Sequence, residues 1–470
     1  MSRKKELAKN TVIIFLGKAC TQLISFLLLP LYTGYLTTGQ YGIVDLITTY
    51  VTLLIPLITL ELEMSVFRYL VDGRGKNKDT KEIMTNDFLV LFSSLAIFTV
   101  LYFIVTMFWK IDYRFLIWID IIICAISGNF LQITRGFGKT LDFSISSLMT
   151  GVITVISNII LIVFCHLRAD GMIISMAVAN GIGALYLFIK LKMYKYIDFS
   201  YINKNKIKSM YKYSVPLVPN SVSWWIVNVS DRSIITVVLG TAFNGIYAVS
   251  NKFPTILSSI LGVFNLSWSE SASLHIDSSD RDQFFSDICN TVVKLFSSLG
   301  LGMIACMPFI FPLLVDSKFG DAYSYIPILV LGAVFNVGAC LYSSIYIAKK
   351  LTKQVAFGSI MAAVINILVN IVLIKYIGLY AAALSTAIAY CAMMIQRHID
   401  VKKYVKITYE SNLILKIFGM FLITIFMYYQ KNWILNIINL LIVVLFAFVT
   451  NKQLIFSIFK TVFKKFKYNK

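Results

Sequence analysis

Apolar stretches, each long enough to cross about 30 Å of hydrocarbon as a helix, follow one another from Thr11 almost to Thr450. That repetition fixes what the chain can fold into. Backbone in lipid finds no water, so each stretch must satisfy its own N–H and C=O groups, and helices do this within one segment. With 58% hydrophobic and only 14% charged residues over 470 positions, a water-soluble domain of this length is excluded. The expected fold is an all-α polytopic membrane protein of about 14 transmembrane helices.

The first six expected spans are Thr11 to Leu31, Tyr41 to Phe67, Asp87 to Trp109, Phe115 to Thr134, Phe143 to Cys165 and Gly171 to Ile189. The next six are Tyr213 to Gly240, Gly245 to Glu270, Ser286 to Val315, Tyr323 to Ala348, Gln354 to Ile374 and Tyr380 to Gln396. Leu413 to Tyr429 and Trp433 to Thr450 form a final pair. The net charge of +20 does not point to nucleic acid, because the Lys and Arg residues sort by side. With the N-terminus inside, the outer loops hold only Lys110, Arg114, Arg168, Lys318, Lys375 and Lys431, while cytoplasmic segments such as Lys190 to Lys212 are densely basic. Both termini are therefore expected in the cytoplasm, with an acidic exception at His275 to Phe285. The basic opening MSRKKELAKN leads into a full span without a small-residue cleavage site, so no removable signal peptide is expected.

Comparing the two halves reveals a repeat. Leu36 to Thr38 and Gly42-Ile43 resemble Leu239 to Thr241 and Gly245-Ile246; Asn158 to Ile162 resembles Asn370 to Ile374; Ser175, Ala177 and Ala179 match Ser385, Ala387 and Ala389. Six spans per copy is an even number, so both copies insert in one orientation, related by a pseudo-two-fold axis along the membrane normal. The expected organisation is an N-terminal six-helix lobe (1–190), a cytoplasmic linker (191–212), a C-terminal six-helix lobe (213–400), and two further helices with a basic tail (401–470). This is transporter architecture, in which two bundles alternate around a central site.

Polar side chains in a span are costly and should face protein or water. Helical spacing aligns Thr11, Lys18, Gln22 and Ser25 in the first span and Asp45, Thr48, Thr49, Thr52, Thr59 and Glu63 in the second. In the seventh it aligns Asn220, Trp224, Asn228 and Asp231, with Arg232 beside them; in the eighth Tyr247, Asn251, Thr255, Ser258, Asn265 and Ser269. These are the first two spans of each half, and one central cavity lined by all four is the simplest arrangement. The competing reading is hydrogen bonding between packed helices. Arg232 lies deep in its span beside Asp231, Lys18 sits on its stripe, and Lys252 and Arg68 are set off the stripe or near a helix end, where snorkelling competes. Several cations in one cavity suit an anionic substrate such as a pyrophosphate; Trp224, Trp225 and Tyr247 suit sugar rings, and Asp45 and Asp231 a coupling ion or proton.

Catalytic motifs are absent. No Walker A loop, nucleophile elbow or metal-spaced His pair occurs, Gly136-Phe137-Gly138-Lys139 is a short loop, and the seven Cys have no metal or disulfide pattern. No enzyme, metal or cofactor is expected.

Leu29-Pro30-Leu31-Tyr32 followed by Gln40-Tyr41-Gly42, Val66-Phe67-Arg68-Tyr69, the Arg135-Gly136 to Lys139 loop, and Tyr213-Ser214-Val215-Pro216-Leu217 carry a family resemblance. The chain resembles the polysaccharide-biosynthesis (Wzx-type) flippases of the multidrug, oligosaccharidyl-lipid and polysaccharide exporter superfamily, over all the spans. The resemblance implies a two-lobe, V-shaped fold with a cationic cavity in a bacterial cytoplasmic membrane. The implied cargo is an undecaprenyl-pyrophosphate-linked oligosaccharide repeat unit for capsule, exopolysaccharide or O-antigen, flipped from the inner to the outer leaflet beside a polysaccharide polymerase. Coupling to a proton or sodium gradient is implied as well, with Asp45 and Asp231 the natural sites. A drug or cation antiporter of the same superfamily would share the fold, but Lys18 and Arg232 oppose the acidic cavity it needs. A polysaccharide polymerase would need a longer outer loop bearing catalytic groups.

Overall fold

The computed structural model describes residues 26–73, 77–109, 112–349 and 351–456; at 77, 220, 223, 224, 227, 228, 266 and 352 it describes backbone alone. The expected first span, Thr11 to Leu31, lies mostly outside the described residues. Every regular element among those described is helical. The chain divides into two compact units, Met1–Ser233 and Ile234–Lys470.

In the first unit, α1 (Leu29–Tyr35) begins with Pro30 in its first turn, where a missing N–H costs nothing. α2 (Thr38–Thr59) starts at a capping box: the Thr37 hydroxyl accepts from the Gln40 N–H at 3.2 Å, and the Gln40 side chain accepts from the Thr37 N–H at 3.1 Å. The single span expected from Tyr41 to Phe67 is in fact two helices. Leu60 and Glu61 both adopt the left-handed conformation (φ 52° and 57°), so the chain breaks before α3 (Leu62–Asp72). Two consecutive non-glycine residues in that region cost of order 1–3 kcal/mol each, which packing around the break must offset. There follow α4 (Asn77–Phe108), α5 (Arg114–Gly136), α6 (Thr140–Asn158), which runs on as a π-helix over Ile159–Phe164, and α7 (Arg168–Lys190).

The linker is folded against this unit. α8 (Lys204–Ser214) and two short 3-10 turns wrap the start of α4. Thr85 donates to the Tyr196 carbonyl (3.2 Å) and accepts from the Asp198 N–H (3.0 Å), while Asn86 donates to the Tyr201 carbonyl (3.0 Å) and accepts from the Asn203 N–H (2.9 Å). Met193 and Met210 are wholly buried in the core formed by Leu62, Met84, Leu91 and Ile133. The lysines face outward, and the apolar positions between them anchor the segment.

α9 (Val218–Val238) starts in the first unit. The second unit contains α10 (Thr241–His275), α11 (Arg281–Leu314), α12 (Ile326–Ala348), α13 (Thr352–Ile377), α14 (Leu379–Val401), α15 (Leu413–Tyr429) and α16 (Trp433–Thr450). α12 is its most enclosed helix, and small residues let its neighbours approach: a Cβ added at Gly332 would lie 3.2 Å from the Ala387 Cα on α14. The Tyr428 and Tyr429 hydroxyls fasten α15 to the carbonyls of Tyr323 and Ser324 at 2.7 and 2.6 Å, and Asn451 donates to Ser298 of α11 at 2.9 Å. The outer sides of α15 and α16 are apolar and exposed, as at Leu415, Leu422, Leu441 and Leu445, which suits the lipid-facing role expected for this pair.

Ten described helices are long and apolar enough to cross a membrane, and the shorter Leu413–Tyr429 is apolar too. α9 and α10 have the length but carry too many polar residues to satisfy the same criterion. Their polarity is what the stripes of the seventh and eighth spans predict. The chain is therefore a multi-pass, all-helical membrane protein with a span number in keeping with the expected fourteen. Gly332→Val should force α12 and α14 apart and destabilise the protein by about 1–3 kcal/mol, read as a lower unfolding temperature of the detergent-solubilised protein.

Candidate functional site

The polar face of α2 meets α9 along three levels inside the first unit. On α9, residues 221, 225 and 232 recur at spacings that return to one side of a helix. Ser221 donates to the Glu61 carboxylate at the helix break. One turn further along, the Trp225 indole N–H donates to the Thr49 carbonyl at 2.9 Å and its ring lies 5.9 Å from that of Tyr50. At the third level the Arg232 Nε donates to Asp45 Oδ2 at 2.6 Å, and Tyr50 shares a hydrogen bond with Ser233 at 3.1 Å.

The Arg232–Asp45 pair is the electrostatic centre of this face. Both side chains are about one-fifth exposed (20% and 17%), so the pair is largely desolvated yet reachable. In apolar surroundings each charge needs the other, because an unpaired one costs several kcal/mol. The sequence offered Asp231 as the neighbour of Arg232; the structure gives Arg232 the carboxylate of Asp45, from α2. Asp231 itself is buried, at 5% exposed. Tyr41, in the Gln40-Tyr41-Gly42 motif, is also buried within electrostatic range of the pair.

The hydroxyls expected to line a cavity from α2 mostly bond their own helix. Thr48 donates to the Val44 carbonyl (2.8 Å), Thr52 to Thr49 (2.7 Å), and Thr59 to Ile55 (2.9 Å) as well as to Glu63 Oε2 (3.0 Å). Such back-bonding satisfies a hydroxyl in a helix without any ligand.

In the second unit, Asn251 donates to the Tyr247 carbonyl at 3.2 Å and Tyr247 is 2% exposed, so the ring proposed for sugar stacking is enclosed by protein in this state. Lys252 is half-buried. Lower on the same helix, Ser269 bonds Ser344 of α12 at 3.0 Å. Arg68 pairs with Asp72 one turn away at 3.4 Å with both side chains more than half exposed, the geometry of a helix-surface pair. Lys294 pairs with Glu410. Lys18 and Gln22 lie outside the described residues, as do the side chains of Asn220, Trp224 and Asn228. The structure thus brings together Arg232 and Asp45, and sets Tyr247, Asn251 and Lys252 in the other unit.

A buried cation also escaped the sequence reading. Arg397 falls just past the expected end of its span at Gln396, but α14 continues to Val401 and buries it to 3% exposure. Its guanidinium donates to the Ala339 carbonyl (2.9 Å), the Val355 carbonyl (3.2 Å) and the Ser359 hydroxyl (3.2 Å), tying α12, α13 and α14 together. Only the terminal placement of the residue hid it.

Comparison with known proteins follows the same lines. The family model for "Polysaccharide biosynthesis protein" matches residues 7–268, more than half of the chain. No curated protein sequence matches. Among solved structures, a lipid II flippase, MurJ, in an inward closed conformation superposes with a TM-score of 0.70 at 16% identity, covering 95% of this chain and all of that one. An inward-facing multidrug resistance MATE family transporter of the MOP superfamily gives a TM-score of 0.66 at 10% identity, covering 82% and 95% of the two chains. A MATE transporter of Vibrio cholerae in its bent form gives 0.52 at 16% identity, with 85% and 98% covered. At these identities the likeness establishes a shared fold.

If Asp45 and Arg232 are each other's compensation, removing one should cost more than removing both. Asp45→Ala or Arg232→Ala alone should destabilise the protein by about 2 kcal/mol, the cost of a stranded charge reduced for partial exposure, and the double variant should recover much of that loss. Thermal unfolding of the three variants measures it.

Proposed function

The chain belongs to the polysaccharide biosynthesis protein family, a family of membrane transporters rather than enzymes, and from that premise we propose that it flips undecaprenyl-pyrophosphate-linked oligosaccharide repeat units from the inner to the outer leaflet of a bacterial cytoplasmic membrane. The units would feed surface polysaccharide assembly, as capsule, exopolysaccharide or O-antigen. The fold shared with a lipid II flippase supports this reading, since that protein's cargo is also lipid-linked. A drug antiporter would have the same fold; the family match favours the polysaccharide route.

The observation that carries the proposal is the reachable ion pair of Arg232 with Asp45 where α2 meets α9. A guanidinium fits phosphate oxygens in the same planar fork in which it fits a carboxylate. Arg232 can thus trade Asp45 for the pyrophosphate without standing unpaired at either stage, while the polyprenyl tail stays in the bilayer. Asp45, released from Arg232, would become the partner for a coupling proton or cation, as would Asp231, the sequence neighbour of Arg232. Lys18, Arg68 and Lys252 would add positive potential along the route. Asn220, Gln22, Asn228 and Asn251 would bond sugar hydroxyls, and Trp224 and Tyr247 would stack on rings after the helices rearrange. Both termini would lie in the cytoplasm and a polymerase would receive the cargo outside.

Deleting the protein should make lipid-linked repeat units accumulate on the cytoplasmic leaflet; normal delivery to the outer leaflet, with redundant transporters removed, would refute the proposal. Arg232→Ala should abolish export in a protein still present at the membrane, and Arg232→Lys, which keeps charge but loses the planar fork, should retain part of it.

A further inference from the structure

A second group of carboxyls lies in the first unit, away from Arg232. Asp87 of α4 is wholly buried and Asn129 of α5 is 1% exposed. The Asn129 Nδ2 donates to Asp87 Oδ1 at 3.3 Å. That leaves two acceptors, Asp87 Oδ2 and Asn129 Oδ1, buried without any hydrogen-bond partner. Native structures rarely leave such atoms unmatched. Each alone is destabilising, and an ionised carboxylate more so.

One proton resolves both. A carboxylic acid and a primary amide form a cyclic pair in which the amide N–H donates to the acid carbonyl and the acid O–H donates to the amide carbonyl. Half of that pair is already in place. A proton on Asp87 Oδ2 is the donor that both orphaned acceptors lack, and it removes a charge that no cation among the described residues neutralises.

The charged group acting on Asp87 is Glu63 of α3, and Glu63 in turn feels Glu61. Glu63 is half-buried and accepts from Thr59; Glu61, at the break between α2 and α3, accepts from Ser221. On α4 itself, Glu82 is engaged by Asn203 of the linker at 2.7 Å. Glu63 and Asp87 thus act on one another as like charges beside a buried amide partner, and a proton on Asp87 removes that repulsion.

We propose that Asp87 and Asn129 form an intramembrane proton-binding site, a protonated acid–amide pair that exchanges its proton by way of the half-buried Glu63 during the transport cycle. The proton binds Asp87 Oδ2, turning carboxylate into carboxylic acid, and leaves by the reverse step. The site is separate from the Asp45–Arg232 pair, whose carboxylate is already neutralised by a fixed cation. Its place in a cycle rests on the transporter reading; its proton occupancy does not.

The test is infrared difference spectroscopy across pH ~5 to ~9 on the full-length protein in liposomes, following the carbonyl band of protonated carboxylic acids. Wild type should show such a band, downshifted in D2O, and the near-isosteric Asp87→Asn should lose it. In Asn129→Leu, which removes the amide donor, the band should persist at higher frequency. Absence of the band from wild type throughout that range, its persistence in Asp87→Asn, or an unmoved frequency in Asn129→Leu would overturn the inference. A band that behaves as expected in a protein whose deletion leaves lipid-linked units normally delivered would retain the proton site and dismiss the flippase.

Discussion

A charge in hydrocarbon must be matched by another charge or by enough dipoles, and the internal organisation of both units follows from that requirement. The protein meets it differently at each place. Arg232 has a carboxylate, Lys294 has Glu410 near a helix end, and Arg397 has carbonyls and a hydroxyl drawn from two other helices. These solutions have different consequences. Carbonyl dipoles of packed helices cannot be withdrawn without unfolding something, so Arg397 is a permanent tie. A carboxylate on one side chain can be exchanged for a phosphate, so Arg232 can change partners while the helices move.

The same requirement explains why α9 and α10 are the least apolar of the long helices. A segment that faces lipid on all sides cannot carry Asp231, Arg232, Asn244 and Asn251; these helices can do so because protein covers their polar faces. On α2, most of that polarity turns inward on the helix itself. Thr48, Thr52 and Thr59 bond carbonyls three or four residues back, leaving Asp45 as the residue on this face that reaches another helix with charge. The expected stripe was correct as geometry, yet only part of it is available to a ligand.

What could be read in the sequence follows this division. Span number, the polar character of the seventh and eighth spans and the lipid-facing final pair are set by composition along one helix, and periodicity reports that directly. Partnership across helices is not. Asp231 is beside Arg232 in sequence, but consecutive residues on a helix point about 100° apart, so the neighbour in the chain was a poor guide to the partner in space. The break at Leu60–Glu61 was hidden because neither residue is a glycine or proline, and Pro56, the visible breaker, is accommodated inside α2. Asp87 was taken as the polar edge of its span, when α4 begins ten residues earlier at Asn77 and carries that carboxyl into the core. The lysines dominate the composition of the linker and mark it as a basic connection; Met193 and Met210, which fix it, are inconspicuous in a chain so apolar.

The broken second helix joins these features. Its two pieces are in contact with both carboxyl groupings: α2 carries Asp45 to Arg232, the break itself carries Glu61 to Ser221 of α9, and α3 carries Glu63 into range of Asp87. A continuous helix would transmit any shift at one end rigidly to the other. Two helices joined by residues in left-handed conformations can instead reorient about the joint, because the backbone hydrogen bonds there are already interrupted. On the proposed reading, a change of partner at Asp45 and a change of protonation at Asp87 would act on opposite arms of one joint. Each would then bias the other through the angle between α2 and α3, which is the physical requirement for coupling an ion to a cargo without a shared binding site.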